Sequence, residues 1–298
     1  MLNRAVQILD EQAAAVRARI RDDRANGLEP HETTLTQNLV SSLRRELALA
    51  GTAVYASEIP RDQETKLYGA DIAIWMLAPG GALAGVHLQA KRQYLDDTYR
   101  DLDHANSHGQ QYDLLLAGAR AAGALAGYAF YNGLDDPEPM SALCMQGITA
   151  ADSHGVSVAQ ARRLAGHIAA RVRRVDIQDL CAPLRCLLGC GARAGLAQHG
   201  LAGALLSWQG GEPGASLVDR ADAPGYLAPL LARAAADADR DDRLRQAPPR
   251  ADDAMDRILA PAPDDAVGPP DRPSVPRSAA DDGGPTATVL LAVPPPGT

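Results

Sequence analysis

Only two lysines, Lys66 and Lys91, stand among the 29 basic residues of this 298-residue chain. Wherever a generic positive charge serves, the sequence uses arginine. Lys91 closes the run Gln89-Ala90-Lys91, and Asp71 stands eighteen residues before Gln89 in Tyr68-Gly69-Ala70-Asp71-Ile72. A planar guanidinium cannot stand in for a compact ammonium where one is needed beside a reactive oxygen. Asp71 is the only charged residue on an otherwise apolar stretch. A carboxylate there is costly unless it is paired, bound to a metal or set in a cleft. These residue types fit a site where a carboxylate holds a cation and an ammonium assists an oxygen nucleophile.

The elements that must position them can be read from pattern. Residues 2–24 read as an amphipathic helix ended at Asn26-Gly27. A second helix follows Pro30, with Leu35, Leu39, Leu43 and Leu47 repeating every four residues and Gly51 closing it. Glu32 lies on that leucine stripe, in the first turn. Strands are expected at 52–59, 68–77 and 85–94, the last two forming an antiparallel hairpin across Pro79-Gly80-Gly81. Alternation sets His87, Gln89, Lys91 and Gln93 on one side and Val86, Leu88 and Ala90 on the other. It likewise separates Ala70, Ile72, Ile74 and Met76 from Gly69, Asp71, Ala73 and Trp75. A helix is expected over about 106–122, with Gln111 turned toward the sheet, then a strand at 125–132 and a short one at 142–148. Helices are expected from Val158 to about Arg174 and over 177–189, with helical or irregular cover over 196–236. From residue 237 on, 12 acids, 7 arginines and about a dozen prolines replace any periodic pattern. That composition describes a disordered tail. The expected parts are an N-terminal helix (1–30), a core (31–150), a helical extension (151–236) and the tail (237–298).

The Gly-x-Asp strand followed by a Gln-x-Lys strand resembles the PD-(D/E)XK superfamily of restriction-endonuclease-like nucleases, in a Gln-x-Lys variant. The resemblance covers about residues 30–135 and implies an α/β fold with a mixed central sheet flanked by helices. It implies Asp71 as principal metal ligand, Gln89 as second ligand, Ala90 as main-chain carbonyl donor, Lys91 as catalytic lysine and Glu32 as the helical acid. Gln111, in Gln110-Gln111-Tyr112, falls where related enzymes place a glutamine or tyrosine. The implied cofactor is Mg²⁺ or Mn²⁺, and the implied activity is hydrolysis of nucleic acid, DNA foremost, in a bacterial restriction or phage-defence setting. Mg²⁺ takes hard oxygen ligands and keeps several waters, so few protein groups are needed. Gln89 is a neutral donor where the family commonly has glutamate, so activity leans more heavily on Glu32. A nuclease-fold protein that binds nucleic acid or a protein without cutting is the alternative.

Other residues admit plainer readings. Asp71 could simply pair at a strand end, and Glu32 is favoured in a first turn by the helix dipole. His104 and His108 have the spacing of a helical metal pair without a supporting motif. Cys144, Cys181, Cys186 and Cys190 miss the usual zinc spacings and read better as buried thiols. Arg162, Arg163, Arg171, Arg173 and Arg174 form a basic run that is either a solvated face or a contact for a phosphate backbone. The net charge of −8 argues weakly against a general nucleic-acid coat. No apolar run suggests a leader or a membrane span, so a cytoplasmic protein without membrane contact is expected. A homodimer is compatible with this reading, and the tail's partner is not specified by it.

Overall fold

The computed structural model describes residues 2–77, 81–133, 154–188 and 217–228, together with 231, 232 and 235. All of these fall within the first of two compact units, Met1–Asp241. The strand expected at 142–148 and the tail from 237 lie outside the described residues, as do Cys144 and Cys190.

The chain begins with α1 (Leu2–Ala25) and α2 (Glu32–Leu49), joined through a left-handed Gly27. Leu35, Leu39, Leu43 and Leu47 are all buried, as their spacing requires. Gly51, at φ 59°, closes α2 by donating to the Ala48 carbonyl while Thr52 donates to that of Leu47. Strand β1 (Val54–Glu58) follows, then one helical turn, α3 (Arg61–Gln63), that widens into a π-turn over Glu64–Tyr68. The hairpin β2 (Ile72–Leu77) and β3 (Leu83–Arg92) is antiparallel, as expected. Short strands β4 (Thr98–Arg100), β5 (Ala105–Asn106) and β6 (Gly109–Gln110) lead to α4 (Gln111–Ala121) and then β7 (Leu125–Tyr131). The remaining elements are β8 (Val156–Gln160), β9 (Arg171–Arg173), α5 (Arg174–Ile177) and β10 (Ala182–Pro183).

The protein is thus mixed α/β, with a central six-stranded sheet in the order β1-β2-β3-β7-β8-β10. The β3–β7 pair is parallel, with α4 as its crossover, and the other pairs are antiparallel. One face carries Ile72, Ile74, Met76, Val86, Leu88 and Ala90 against α1 and α2. The other carries Ala73, Trp75, Tyr128 and Phe130 against α4 and the segments that follow β8. Ala70 packs with this second face, because the pleat of β2 begins only at Ile72 and the expected alternation does not reach back to it.

The helical extension expected over 151–236 is not what the described residues show. Val156–Gln160 is a strand buried along its whole length, and β10 adds a further strand at the edge. Ala161–His167 is a 3₁₀ stretch and Leu184–Leu187 another. Val218 bridges to Leu83, so this later segment covers the same sheet. The helix expected at about 106 begins at Gln111, and His104 precedes β5 while His108 lies in the β5–β6 turn, both exposed, rather than sharing a helix. Among the described residues no helix is long and apolar enough to cross a membrane.

Candidate functional site

The site forms where β3 outruns β2. The last β2–β3 pair is Ile72 with Leu88, while β3 continues to Arg92 beside β7. Beyond Leu88, the backbone groups of β3 that face β2 have no strand to bond to, and buried N–H groups need partners. Two acids supply them. Asp71 Oδ2 accepts the Ala90 N–H at 2.7 Å, and Glu32 Oε2 accepts the Arg92 N–H at 3.0 Å. Each carboxylate thus sits against the edge of the Gln-x-Lys strand. Asp71 is held there at both ends of its own backbone: its N–H donates to the Leu88 carbonyl and its carbonyl accepts from Ile59.

The polar row of β3 is buried rather than turned to water: His87, Gln89, Lys91 and Gln93 are all at most 6% exposed. Gln89 Nε2 donates to Asp71 Oδ2 at 2.6 Å, and Gln111 Nε2 donates to Gln89 Oε1 at 2.7 Å. Gln111 therefore reaches the sheet from the first turn of α4, as its stripe requires. Among the described residues the Ala90 carbonyl receives a long contact from the Gln89 amide, at 3.4 Å. Sequence reasoning thus brings Asp71, Gln89, Ala90, Lys91, Glu32 and Gln111 to one place.

It missed Glu64. This residue opens the π-turn before β2 and hydrogen-bonds with Asp71. Two glycines press that turn onto α4. A Cβ on Gly69 would lie 2.5 Å from the Leu115 nitrogen, and one on Gly118 would lie 2.5 Å from the Leu67 carbonyl oxygen. Gly69 also adopts φ 58°, where a side chain is strained. In sequence, Glu64 is one more polar residue of a loop, and nothing in its type or spacing singles it out.

Electrostatics marks the cluster as unusual. Burial, then the neighbouring Glu64 and Glu32 carboxylates, hold the Asp71 carboxyl well above its ordinary range. Burial also raises Glu64 and Glu32, and the nearby Lys91 ammonium opposes the shift in all three acids. Among the described residues, no acid lies within ion-pair distance of that ammonium. Two carboxyls in hydrogen-bonding contact share a proton or need a cation between them.

That donor set tests the implied metal. Among the described residues, no three His, Cys, Asp or Glu side chains are gathered tightly enough to cage an ion. Glu32 is instead committed to the Arg92 N–H. Asp71 and Glu64, with the weakly engaged Ala90 carbonyl beside them, are hard neighbouring oxygens, whereas the Gln89 oxygen expected as a ligand is turned to Gln111. They fit Mg²⁺, which is commonly held through one or two carboxylates and completed by water.

On the same side of the sheet, His87 Nε2 pairs with the Tyr226 hydroxyl at 2.7 Å, and Trp75 Nε1 donates to that hydroxyl at 3.0 Å. Burial drives the His87 pKa down to about 3. An unfolded histidine takes up a proton below about pH 6.5 that the fold refuses. Stability contributed at neutral pH is therefore lost as pH falls from about 6.5 toward 3. The expected cost is about 1.4 kcal/mol per pH unit relative to His87→Gln, measurable by urea unfolding at several pH values. A constant difference between the two proteins across that window would show that the ring is protonated in the fold.

The arginines expected as one basic run are separated and largely engaged. Arg174 is buried and pairs with Asp97 at 3.1 Å, Arg173 with Asp176 at 2.9 Å and Arg171 with Asp96 at 3.4 Å. Arg163 donates to Gln160 at 3.1 Å. Arg162 and Arg163 lie on the 3₁₀ stretch and Arg171 and Arg173 on β9, so no helix displays the set. Cys181 and Cys186 are buried thiols, and burial pushes the Cys181 thiol up.

Fold and site together define a mixed α/β protein whose sheet end gathers three partly buried acids, two amides and a lysine. A family model matches residues 5–275, and the chain belongs to that family, described as a family of unknown function (DUF6615). A comparison with curated proteins gives no match.

Proposed function

We propose that this protein is a Mg²⁺-dependent phosphodiesterase of the restriction-endonuclease-like class, hydrolysing nucleic acid, DNA foremost. One observation carries the reading: Asp71 and Glu64 meet beside Lys91 at the unpaired end of β3. The mixed sheet, with its antiparallel β2–β3 hairpin and parallel β3–β7 crossover, is compatible with that class.

In this reading Asp71 and Glu64 hold the cation, with the Ala90 carbonyl as a further donor and the Gln89 amide N–H steadying Asp71. The bound ion supplies Lewis-acid polarisation of phosphate oxygens and acidification of water. Lys91 places an ammonium beside the reacting phosphate, in a pocket dry enough for the charge to act strongly. Glu32 fixes the end of β3 through the Arg92 N–H and so sets where Lys91 stands. Gln111 orients Gln89. Supercoiled plasmid with Mg²⁺ or Mn²⁺ is expected to be nicked by the wild type, not in EDTA and not by Asp71→Ala. Cleavage by Asp71→Ala at the wild-type rate would remove the reading.

A second reading rests on the Gln89 amide, whose N–H donates to Asp71 where a glutamate would have offered oxygen. A nuclease-fold protein that binds nucleic acid without cutting would keep this bond. It predicts oligonucleotide binding that survives Asp71→Ala, with no nicking in any divalent ion.

A further inference from the structure

Past Lys91, β3 runs on to Gln93, whose carbonyl accepts a hydrogen bond from Arg24 Nη2 at 2.5 Å. This is the only satisfied donor of that guanidinium among the described residues. Arg24 Nε and Nη1 are both shielded from water and, among the described residues, meet no hydrogen-bond partner. An unpaired buried donor on a charged group is expensive, and natural sites keep such donors when something else meets them. Beside Arg24 lies a cavity of about 530 Å³, lined by Ala18, Arg21, Asp22, Arg24, Leu95 and Gly133 among others. Arg92, whose guanidinium pairs with Glu29, adds a further cation close enough to weigh on Arg24. Asp22 and Glu29 are the acids in this surrounding, against Arg21, Arg24 and Arg92.

We propose that this cavity is a phosphate subsite for a nucleic-acid strand, with Arg24 as its anchor. This deepens the phosphodiesterase reading and rests on it for the choice of a strand as occupant. A phosphate oxygen matches the two idle N–H groups, because arginine presents donors in a fork that fits phosphate. The volume exceeds that of a lone ion and suits a sugar-phosphate unit. A strand bound by this protein would place a backbone phosphate against Arg24, and the contact would fix register without reading sequence.

The test is fluorescence anisotropy of a labelled oligonucleotide duplex with the full chain in EDTA, so that binding is read without cleavage. Arg24→Met is expected to weaken binding by roughly tenfold and to make the slope of log affinity against log salt shallower by about 0.9, one phosphate contact. Arg24→Lys keeps a charge and one bond to the Gln93 carbonyl and should fall between; circular dichroism reports whether each variant folds. Arg21→Ala, exposed at the rim, should lower the slope without touching the buried bond. Unchanged affinity and slope in folded Arg24→Met would overturn the proposal. So would Arg24-dependent binding of inorganic phosphate or a mononucleotide with no Arg24 effect on the duplex. Arg24-dependent duplex binding by a protein that never nicks plasmid would leave the subsite standing and remove the hydrolase reading alone.

Discussion

Replacing Lys91 by arginine is expected to slow plasmid nicking about a hundred- to a thousandfold, nearly as much as replacing it by methionine. The two substitutions ask different things of the site. Methionine approximates the stem of lysine and removes its charge. Arginine keeps the charge but spreads it over a planar fork that needs more room and cannot present a single point of positive potential. Lys91 is 6% exposed and its ammonium acts on Glu32, Glu64 and Asp71 together. Removing the charge therefore pushes all three acids further up, and Lys91→Met should bind divalent ions with altered pH dependence as well as cut slowly. Lys91→Arg should retain the electrostatic balance of the acids and still lose rate. Full activity in the arginine variant would mean that Lys91 contributes only background charge. Full activity in the methionine variant would take it out of the chemistry altogether.

The parts of this fold that sequence made legible are those whose two faces differ in residue type. The leucine stripe of α2 and the alternation along β3 each report a face, and both appear where expected. Strand β8 reports nothing of the kind. Val156–Gln160 is buried on both faces, so its side chains carry no period-2 signal. Its alanine and the arginines that follow resemble a helix to any local rule. Pairing with β7 on one side and β10 on the other decides its state, and that information is not local.

The site was legible to a similar degree and for a similar reason. Gln89 and Lys91 follow the last paired residue of β3 and Asp71 directly precedes β2, so their places can be counted from the register of the hairpin. Gln111 lies on a helix with a readable stripe, and its bond to Gln89 follows. Glu64 sits on a π-turn held in place by the close approach of Gly69 and Gly118 to neighbouring backbone. Irregular backbone has no period to count, so an acid there comes into view only with coordinates. With a neutral glutamine at position 89, the residues legible in sequence leave the site short of acid. The π-turn offers a carboxylate from a different element in its place.

That arrangement has a cost that can be measured. Asp71→Asn is expected to abolish nicking, by at least the hundredfold of a lost electrostatic partner, and yet to raise the melting temperature of the metal-free protein at pH 8. Asparagine can still accept the Ala90 and Gln89 N–H bonds through its own carbonyl, so little local bonding is lost. What disappears is a buried charge repelled by Glu64 and Glu32. Functional residues held against their own stability commonly give back about 0.5–2 kcal/mol when replaced, or about 2–4 °C for each kcal/mol in a protein of this size. The pH dependence has a definite sign. The Asp71 pKa is raised in the fold, so the folded state holds its proton more tightly than the unfolded chain does. The stability this contributes is complete below about pH 4, the unfolded value, and is lost as pH rises through the folded value. Wild type and Asp71→Asn should therefore melt at similar temperatures in acid and diverge toward pH 8, with the variant higher. Mg²⁺ at millimolar concentration should close the gap from the wild-type side alone, since a cation that binds only the folded state stabilises by mass action. A variant that melts lower than wild type at pH 8 without metal would mean that Asp71 is a structural tie for the end of β3. The three acids would then not be waiting for a cation.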